Sequence, residues 1–283
     1  MKQFALTCLI IVCFACGGQK KDETSEWIQL FNGKDLNDWK IKIAGYPLNE
    51  NYGNTFRVED GKMAVRYDQY DSFSNRFGHI YYKQKFSTYL LSMEYRFTGD
   101  QVKGGPGWAF RNSGAMLHCQ APETIGLQQD FPISIEYQLL GGNGTDERHT
   151  ANLCTPGTNV VMNGTLVTDH CIDSNSKTFH GDQWVHAEVL VLGDSIIKHI
   201  VEGDTVLVYE KPQIGGGAVS NYDPKEKVDG KLLTEGYISL QSESHPVEFR
   251  KVELFDLEPY TSSKEDLNGV LAKLRKRVVH TEK

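Results

Sequence analysis

Three short stretches carry polar side chains at a spacing of two. His118 and Gln120 alternate with Leu117 and Cys119, Glu136 and Gln138 with Ile135 and Tyr137, and Gln241 and Glu243 with Leu240 and Ser242. Residues two apart project from the same face of an extended chain, so each pair marks one face of a strand. If the three strands share a sheet, His, Gln and Glu form one patch offering both donors and acceptors, which suits sugar hydroxyls. Any half-exposed sheet shows polar residues at every second position. Thr, Lys and Ser dominate such faces, however, and the repetition of Gln and Glu here points to a site. Trp108, Arg111 and Asn112 lie close to the first stretch. A Trp face can stack on a sugar ring, and Arg111 could clamp an anion or polarise a carbonyl. His149, His170, His180, His186 and His199 show no helical metal-ligand spacing.

The elements that must position these groups are strands. In Tyr89 to Phe97, apolar residues fall on the odd positions and mostly polar ones on the even. Ile133, Ile135, Tyr137 and Leu139 repeat the pattern, which is that of a strand with one buried and one wet face. Asp60-Gly61 between Phe56-Arg57-Val58 and Met63-Ala64-Val65 signals a hairpin. Val185 to Tyr209 divides into three strands at Gly193-Asp194 and at Glu202-Gly203-Asp204, and a final pair spans Tyr237 to Gln241 and Val247 to Leu254. Many short strands with frequent turns indicate a β-sandwich or barrel. The glycine clusters at 104–107, 141–144 and 215–217 precede no Lys-Ser/Thr pair and so are loops rather than phosphate cradles.

With 283 residues, 24 % charged and 39 % hydrophobic, the chain can bury a sizeable core. A net charge of −7 argues against nucleic acid or an anionic membrane surface as the main partner. Lys2 followed by an apolar run from Phe4 to Ala15 has the length of a signal-peptide core. The run ends in Cys13-Phe14-Ala15-Cys16-Gly17, which resembles a lipobox, although small residues are more usual than Phe at position 14. Residues 1–15 are therefore expected to be a signal peptide and Cys16 the lipidated residue. The alternative is a plain secretory signal cut elsewhere. Residues 16–25 form a polar tether whose Gln-Lys-Lys-Asp-Glu stretch is similar to export signals of surface lipoproteins. The expected location is the cell envelope, as an outer-membrane lipoprotein on the periplasmic or the cell-surface side, touching the membrane through lipid alone.

Outside the cytoplasm a disulfide is allowed. Cys154 and Cys171 would close a short loop, leaving Cys119 as a thiol buried in a strand. After a main body over 26–260, residues 261–283 read as a basic helix capped by Ser262 or Ser263, with Leu267, Leu271, Leu274 and Val278 as its apolar stripe. It is expected to pack on the sandwich, with a membrane-surface helix as the alternative.

The same residues carry a family resemblance. The stretch from Leu30 to Trp39 resembles the opening of the 3-keto-disaccharide hydrolase domain family. Arg111 to His118 contains that family's Asn-Ser-Gly, and Glu136-Tyr137-Gln138 is similar to its Glu-x-Gln strand. Gly236 to Glu243, followed by Val247-Glu248-Phe249-Arg250, is similar to its closing motif. These motifs run in order over residues 27–257. Many members have His where this chain has Glu243, which leaves its substrate open. The resemblance implies a concanavalin A-like jelly roll, here with a short C-terminal helix, and cleavage of glycosides already oxidised at C3.

A 3-keto group acidifies the C2 proton. Removal of that proton lets the enolate expel the C1 oxygen, and water adds later. This chemistry needs a base, for which Glu136 or His118 is expected, and a partner for the enolate oxygen, for which Arg111 or a divalent cation is expected. Trp108, Asn112, Gln120, Gln138, Gln241 and Glu243 would hold the sugar. The Glu-x-Asp-x-x-Glu strand of laminarinase-type jelly rolls is absent, and Glu136-Tyr137-Gln138 stands in its place. Alternatives from other classes are a non-catalytic carbohydrate-binding lipoprotein and an ordinary glycan hydrolase. Convergence of His118, Glu136 and Glu243 would favour an enzyme, and a flat aromatic patch would favour binding.

Overall fold

The computed structural model describes residues 27–280, with side chains described as far as Arg275. The signal peptide, Cys16 and the tether lie outside the described residues, as does the far end of the tail. The strands are Trp27–Gln29 (β1), Trp39–Ile43 (β2), Phe56–Glu59 (β3), Lys62–Val65 (β4), Gly78–Phe86 (β5), Thr88–Phe97 (β6), Asn112–Cys119 (β7), Ile135–Leu140 (β8), Asn152–Cys154 (β9), Thr158–Met162 (β10), Thr165–Val167 (β11), Cys171–Ile172 (β12), Val185–Leu192 (β13), Ile196–Val201 (β14), Asp204–Ile214 (β15), Gly236–Ser242 (β16) and Val247–Asp256 (β17). One helix, Lys264–His280 (α1), follows.

Two antiparallel sheets pack as a jelly-roll sandwich. One runs β11-β10-β15-β14-β13-β6-β17-β4-β3, with β1 also paired to β17, and the other β12-β9-β8-β7-β16-β5-β2. The alternation expected from sequence is what sorts the faces. Tyr89, Leu91, Met93, Tyr95 and Phe97 of β6 meet Ile80, Ala115, Leu117, Ile135, Tyr137, Leu139, Ile238 and Leu240 of the facing sheet in one core. Asp60 and Gly61 both have positive φ, at 48° and 75°, and close the β3–β4 hairpin with Glu59 opposite Lys62. That geometry belongs to the Asp-Gly turn.

Ser263 caps α1, its Oγ accepting from the backbone amides of Glu265 and Asp266. Leu267, Leu271 and Leu274 pack against Leu90, Leu190 and Phe255 on the outer side of the ten-stranded sheet. The helix thus covers the sandwich with the part of its apolar stripe that lies among the described residues. Among the described residues no helix is long and apolar enough to cross one.

Cys154 and Cys171 are bridged directly across the β9–β12 pair, and Cys119 is a free, buried thiol. The bridge spans 17 positions of sequence. Replacing both cysteines by Ser is expected to lower stability by about 3 kcal/mol on the chain-entropy model. The denaturant midpoint of the oxidised protein against the double variant measures this.

Candidate functional site

A cavity of about 430 Å³ opens on the face of the seven-stranded sheet turned away from the core, a size suited to a small organic ligand. Its floor is built by β7, β8 and the residue following β16, which supply Asn112, Glu136 with Gln138, and Glu243. Trp108, Asp130, Phe131, Pro156, Ala218 and Ser220 wall it from loops, and His170 and the Cys154–Cys171 bridge close one side.

Glu136 and Glu243 are almost wholly buried, at 6 % and 3 % exposed. Burial pushes the Glu136 carboxyl up to about 8. Glu243 is raised well above the carboxylate range by burial and by the charge of Glu136. Two buried carboxyls that feel one another cannot both ionise readily, so both favour the protonated form at neutral pH and Glu136, released at about 8, is the first to ionise. The place of the Glu136 carboxyl depends on the neighbouring strand. Gly114 of β7 sits between β8 and β16, and a Cβ there would meet Glu136 Oε1 at 2.5 Å. The missing side chain is the space in which the carboxyl lies.

Other floor atoms face the cavity without protein partners. Asn112 Oδ1 and Glu243 Oε2 are buried and make no hydrogen bond, although buried polar atoms normally find one. Gln138 lines the cavity and accepts from Asn152 Nδ2 at 3.1 Å. Trp108, 55 % exposed, stacks on Phe77 with centroids 5.9 Å apart. It presents an aromatic plane at the cavity mouth.

The structure thus gathers Trp108, Asn112, Glu136, Gln138 and Glu243 around one cavity. It does not bring His118, Arg111 or Gln120 there. At His118 the strand carries a β-bulge: β7 pairs with β16 through Cys119↔Tyr237 and Met116↔Ser239, so two residues oppose one, and His118 has φ 47°. The inserted residue breaks the period-two alternation and turns the ring to the other face. There Nε2 meets the Gly193 carbonyl at 3.0 Å and the ring edges against Tyr89. Burial lowers its pKa.

Arg111 has φ 43°, and its guanidinium is held by Asp182 and the carbonyl of Gly181. It does not line the cavity and is not free to receive an enolate. Gln120 braces the loop after β7, bonding Thr124, the Gln129 side chain and the Ile133 amide.

Gln241 lies deeper than the cavity floor, fully buried, with neither amide atom partnered. Sequence reasoning missed the loop residues Asp130, Phe131, Ala218 and Ser220, whose patterns carry no period. It also missed His79, which faces the same side as Gln241, though His79 and Tyr81 sit at the same spacing of two. Among the described residues the group of three metal-ligating side chains lying close together is Cys154, His170 and Cys171. Both of its sulfurs are engaged in the disulfide.

Residues 26–254 match a family model described as the 3-keto-alpha-glucoside-1,2-lyase-like domain. No curated protein matches the sequence. Among solved structures, the chain is similar to a protein from Parabacteroides distasonis described as a candidate glycosyl hydrolase, with 18 % identity and a TM-score of 0.48 over 83 % of this chain and 96 % of that one. It is also similar to a Bacillus licheniformis β-glucanase, with 12 % identity and TM-score 0.45 over 81 % and 97 % of the two chains. A third likeness is to the Bacillus subtilis carbohydrate-binding module CBM66, with 11 % identity and TM-score 0.43 over 82 % and 96 %.

Proposed function

The chain belongs to the 3-keto-alpha-glucoside-1,2-lyase-like domain family, and from that premise we propose that it cleaves the glycosidic bond of 3-keto-glycosides at the cavity holding Glu136 and Glu243. The observation that carries this reading is the pair of buried carboxyls lining one cavity, both raised by burial and Glu243 raised further by Glu136. Elimination needs one base and one acid, and the pair supplies both once Glu136 has ionised, at about 8, while Glu243 keeps its proton.

The ionised carboxylate, assigned to Glu136, removes the C2 proton. The electrons of the C2–H bond pass into the C1–C2 bond through the enolate, and the C1–O bond breaks. The departing oxygen takes the proton held by Glu243. The products are the free alcohol and an enone, to which water adds at C1 to give the 3-keto sugar. Asn112, which lines the cavity floor, donates its side-chain Nδ2–H to the enolate oxygen in this reading, while Trp108 stacks on the ring. Exclusion of water by Phe131 and the disulfide wall strengthens these charge interactions.

The test is to incubate the purified protein with a methyl α-3-keto-glucoside and with unoxidised methyl α-glucoside in deuterated water. Methanol release from the keto glycoside alone, with deuterium entering at C2, is expected. Equal cleavage of the unoxidised glycoside would make the protein an ordinary glycan hydrolase. Saturable binding without any release would make it a carbohydrate-binding protein.

We propose further that Cys16 carries the lipid that anchors the chain in the cell envelope, on the motif described above. Cys16→Ser is expected to move the protein from the membrane fraction to the soluble one. Retention of that variant in washed membranes at high salt would reject the anchor.

A further inference from the structure

One wall of the cavity holds a group for which the elimination has no use. Cys154 of β9 stands opposite Glu136 of β8 on one side and opposite Cys171 of β12 on the other. Residues paired directly across strands project from the same face, so the three side chains form one row on the outer side of the sheet. His170 precedes Cys171 and lines the same cavity. One ligand atom from each of Cys154, His170 and Cys171 lies within 4.8 Å of the other two. Two thiolates and an imidazole at that spacing are a donor set for zinc, which favours soft sulfur and nitrogen ligands.

In the oxidised chain both sulfurs are taken up by the bridge. A bridge forms only by oxidation of thiols, and in the reduced chain a second fastening keeps the three residues together. The His170 carbonyl accepts from the Thr155 amide at 2.8 Å and from the Thr155 hydroxyl at 3.1 Å. Thr155 follows Cys154 directly, so these bonds hold His170 beside Cys154 without the sulfur link. A tetrahedral zinc ion, with Zn–S about 2.3 Å and Zn–N about 2.0–2.1 Å, needs its donors about 3.5–3.8 Å apart. Rotation of the two freed cysteine side chains reaches that separation with the strands in place. Cys154 is buried while His170 and Cys171 are exposed, so a cation can enter from solvent.

We propose that Cys154, His170 and Cys171 of the reduced chain form a zinc site in the cavity wall, and that metal and disulfide are alternative fastenings of β12 to β9. Three protein donors leave the fourth tetrahedral position to water. Binding replaces the two thiol protons by the cation, with no change of oxidation state. Conversion of the bridged chain needs a reductant of the phosphine class. The phosphine takes the oxygen of one water and becomes its oxide, and the two sulfurs gain its two electrons and the two protons. The site does not depend on the reaction assigned to Glu136.

The purified protein, reduced with a trialkylphosphine in the absence of oxygen and titrated with zinc or cobalt(II), tests it. One equivalent of zinc is expected to bind, and cobalt is expected to show thiolate charge-transfer bands with the strong visible absorption of a tetrahedral ion. The bridged protein should bind at least about a hundredfold more weakly. His170→Ala should weaken zinc binding at least about tenfold, and Cys171→Ser should abolish the cobalt bands. With zinc at about a hundred times its dissociation constant, the melting temperature of the reduced protein should rise by about 5–10 °C.

Equal binding by the reduced and bridged proteins, or by wild type and His170→Ala, would mean an adventitious ion only and would overturn the site. Cobalt bands that persist in Cys171→Ser would belong to another thiol and would overturn it as well. Where the reduced protein does not stay in solution, reduction is carried out with zinc already present. Recovery of soluble protein carrying one zinc supports the site, and precipitation to the same extent with and without zinc rejects it.

Discussion

Glu136→Gln is expected to fold normally and to lose at least about a hundredfold in turnover of a 3-keto-glycoside, since removing a general base costs about 10²–10⁴ in rate. The substitution keeps the shape of the side chain while ending its proton transfer. A structural role predicts the opposite split, with lost stability and no selective loss of rate. The same variant has a second signature in stability.

In the folded chain Glu136 releases its proton at about 8 rather than near its ordinary 4.5. Between those values the folded state holds a proton that the unfolded state has released. The associated stability is complete below about pH 4.5 and is lost as pH rises through 8, with a slope of at most about 1.4 kcal/mol per pH unit for one proton. Glu243 is shifted in the same direction. The wild-type melting temperature should therefore fall from pH 5 to pH 8.5. Glu136→Gln should melt higher at pH 8 and show a flatter curve, keeping only the slope that Glu243 contributes by its own burial. A melting curve equally steep in wild type and variant would mean that the Glu136 carboxyl is not buried as described. Full activity in the variant would remove it from the mechanism.

Gly114→Ala should separate position from presence. The new methyl would sit 2.5 Å from Glu136 Oε1, 2.8 Å from its Cγ and 3.0 Å from its Cδ, well inside ordinary contact. What must move is the Glu136 side chain from Cγ outward, not backbone, so the variant should keep its fold with a modest loss of stability. The carboxylate, however, must shift by roughly an ångström, and misplacement on that scale costs about 10² in rate. The expected result is a near-normal melting temperature with turnover down about a hundredfold. Because Gly114 acts only by admitting Glu136, Gly114→Ala combined with Glu136→Gln should be no slower than Glu136→Gln alone. Additive losses in the double variant would show that Gly114 matters for another reason, and unchanged turnover in Gly114→Ala would show that the carboxyl does not need this space.

The sandwich was legible because its strands obey the period of two nearly everywhere. Tyr89 to Phe97 and Ile133 to Leu139 sort their faces as read, and Asp60-Gly61 turns where its dipeptide says. Glu136, Gln138 and Glu243, read by the same rule, line one cavity. The rule failed at one bulge: a residue inserted at His118 exchanged the faces, and nothing in Met116-Leu117-His118-Cys119 marks that insertion. Arg111 was misread for a different reason. Its anchor, Asp182, lies 71 positions away, and no local pattern reports a partner at that distance. The loops that roof the cavity were silent for the same cause, since Phe131 and Ser220 acquire their meaning only when the chain returns over the sheet.

The Cys154–Cys171 bridge has a bearing on how the protein must be handled. It ties β12, only two residues long, to the outer side of β9. Without it β12 has too few ladder hydrogen bonds to stay, and β9 would become the bare margin of a sheet reduced to six strands. Unpaired backbone amides and carbonyls at such a margin recruit strands from other molecules. In a reducing compartment, or in buffers containing thiols, the chain should therefore self-associate edge to edge before it loses its core. Light scattering that rises on adding dithiothreitol while the tryptophan spectrum stays native would display that order of events.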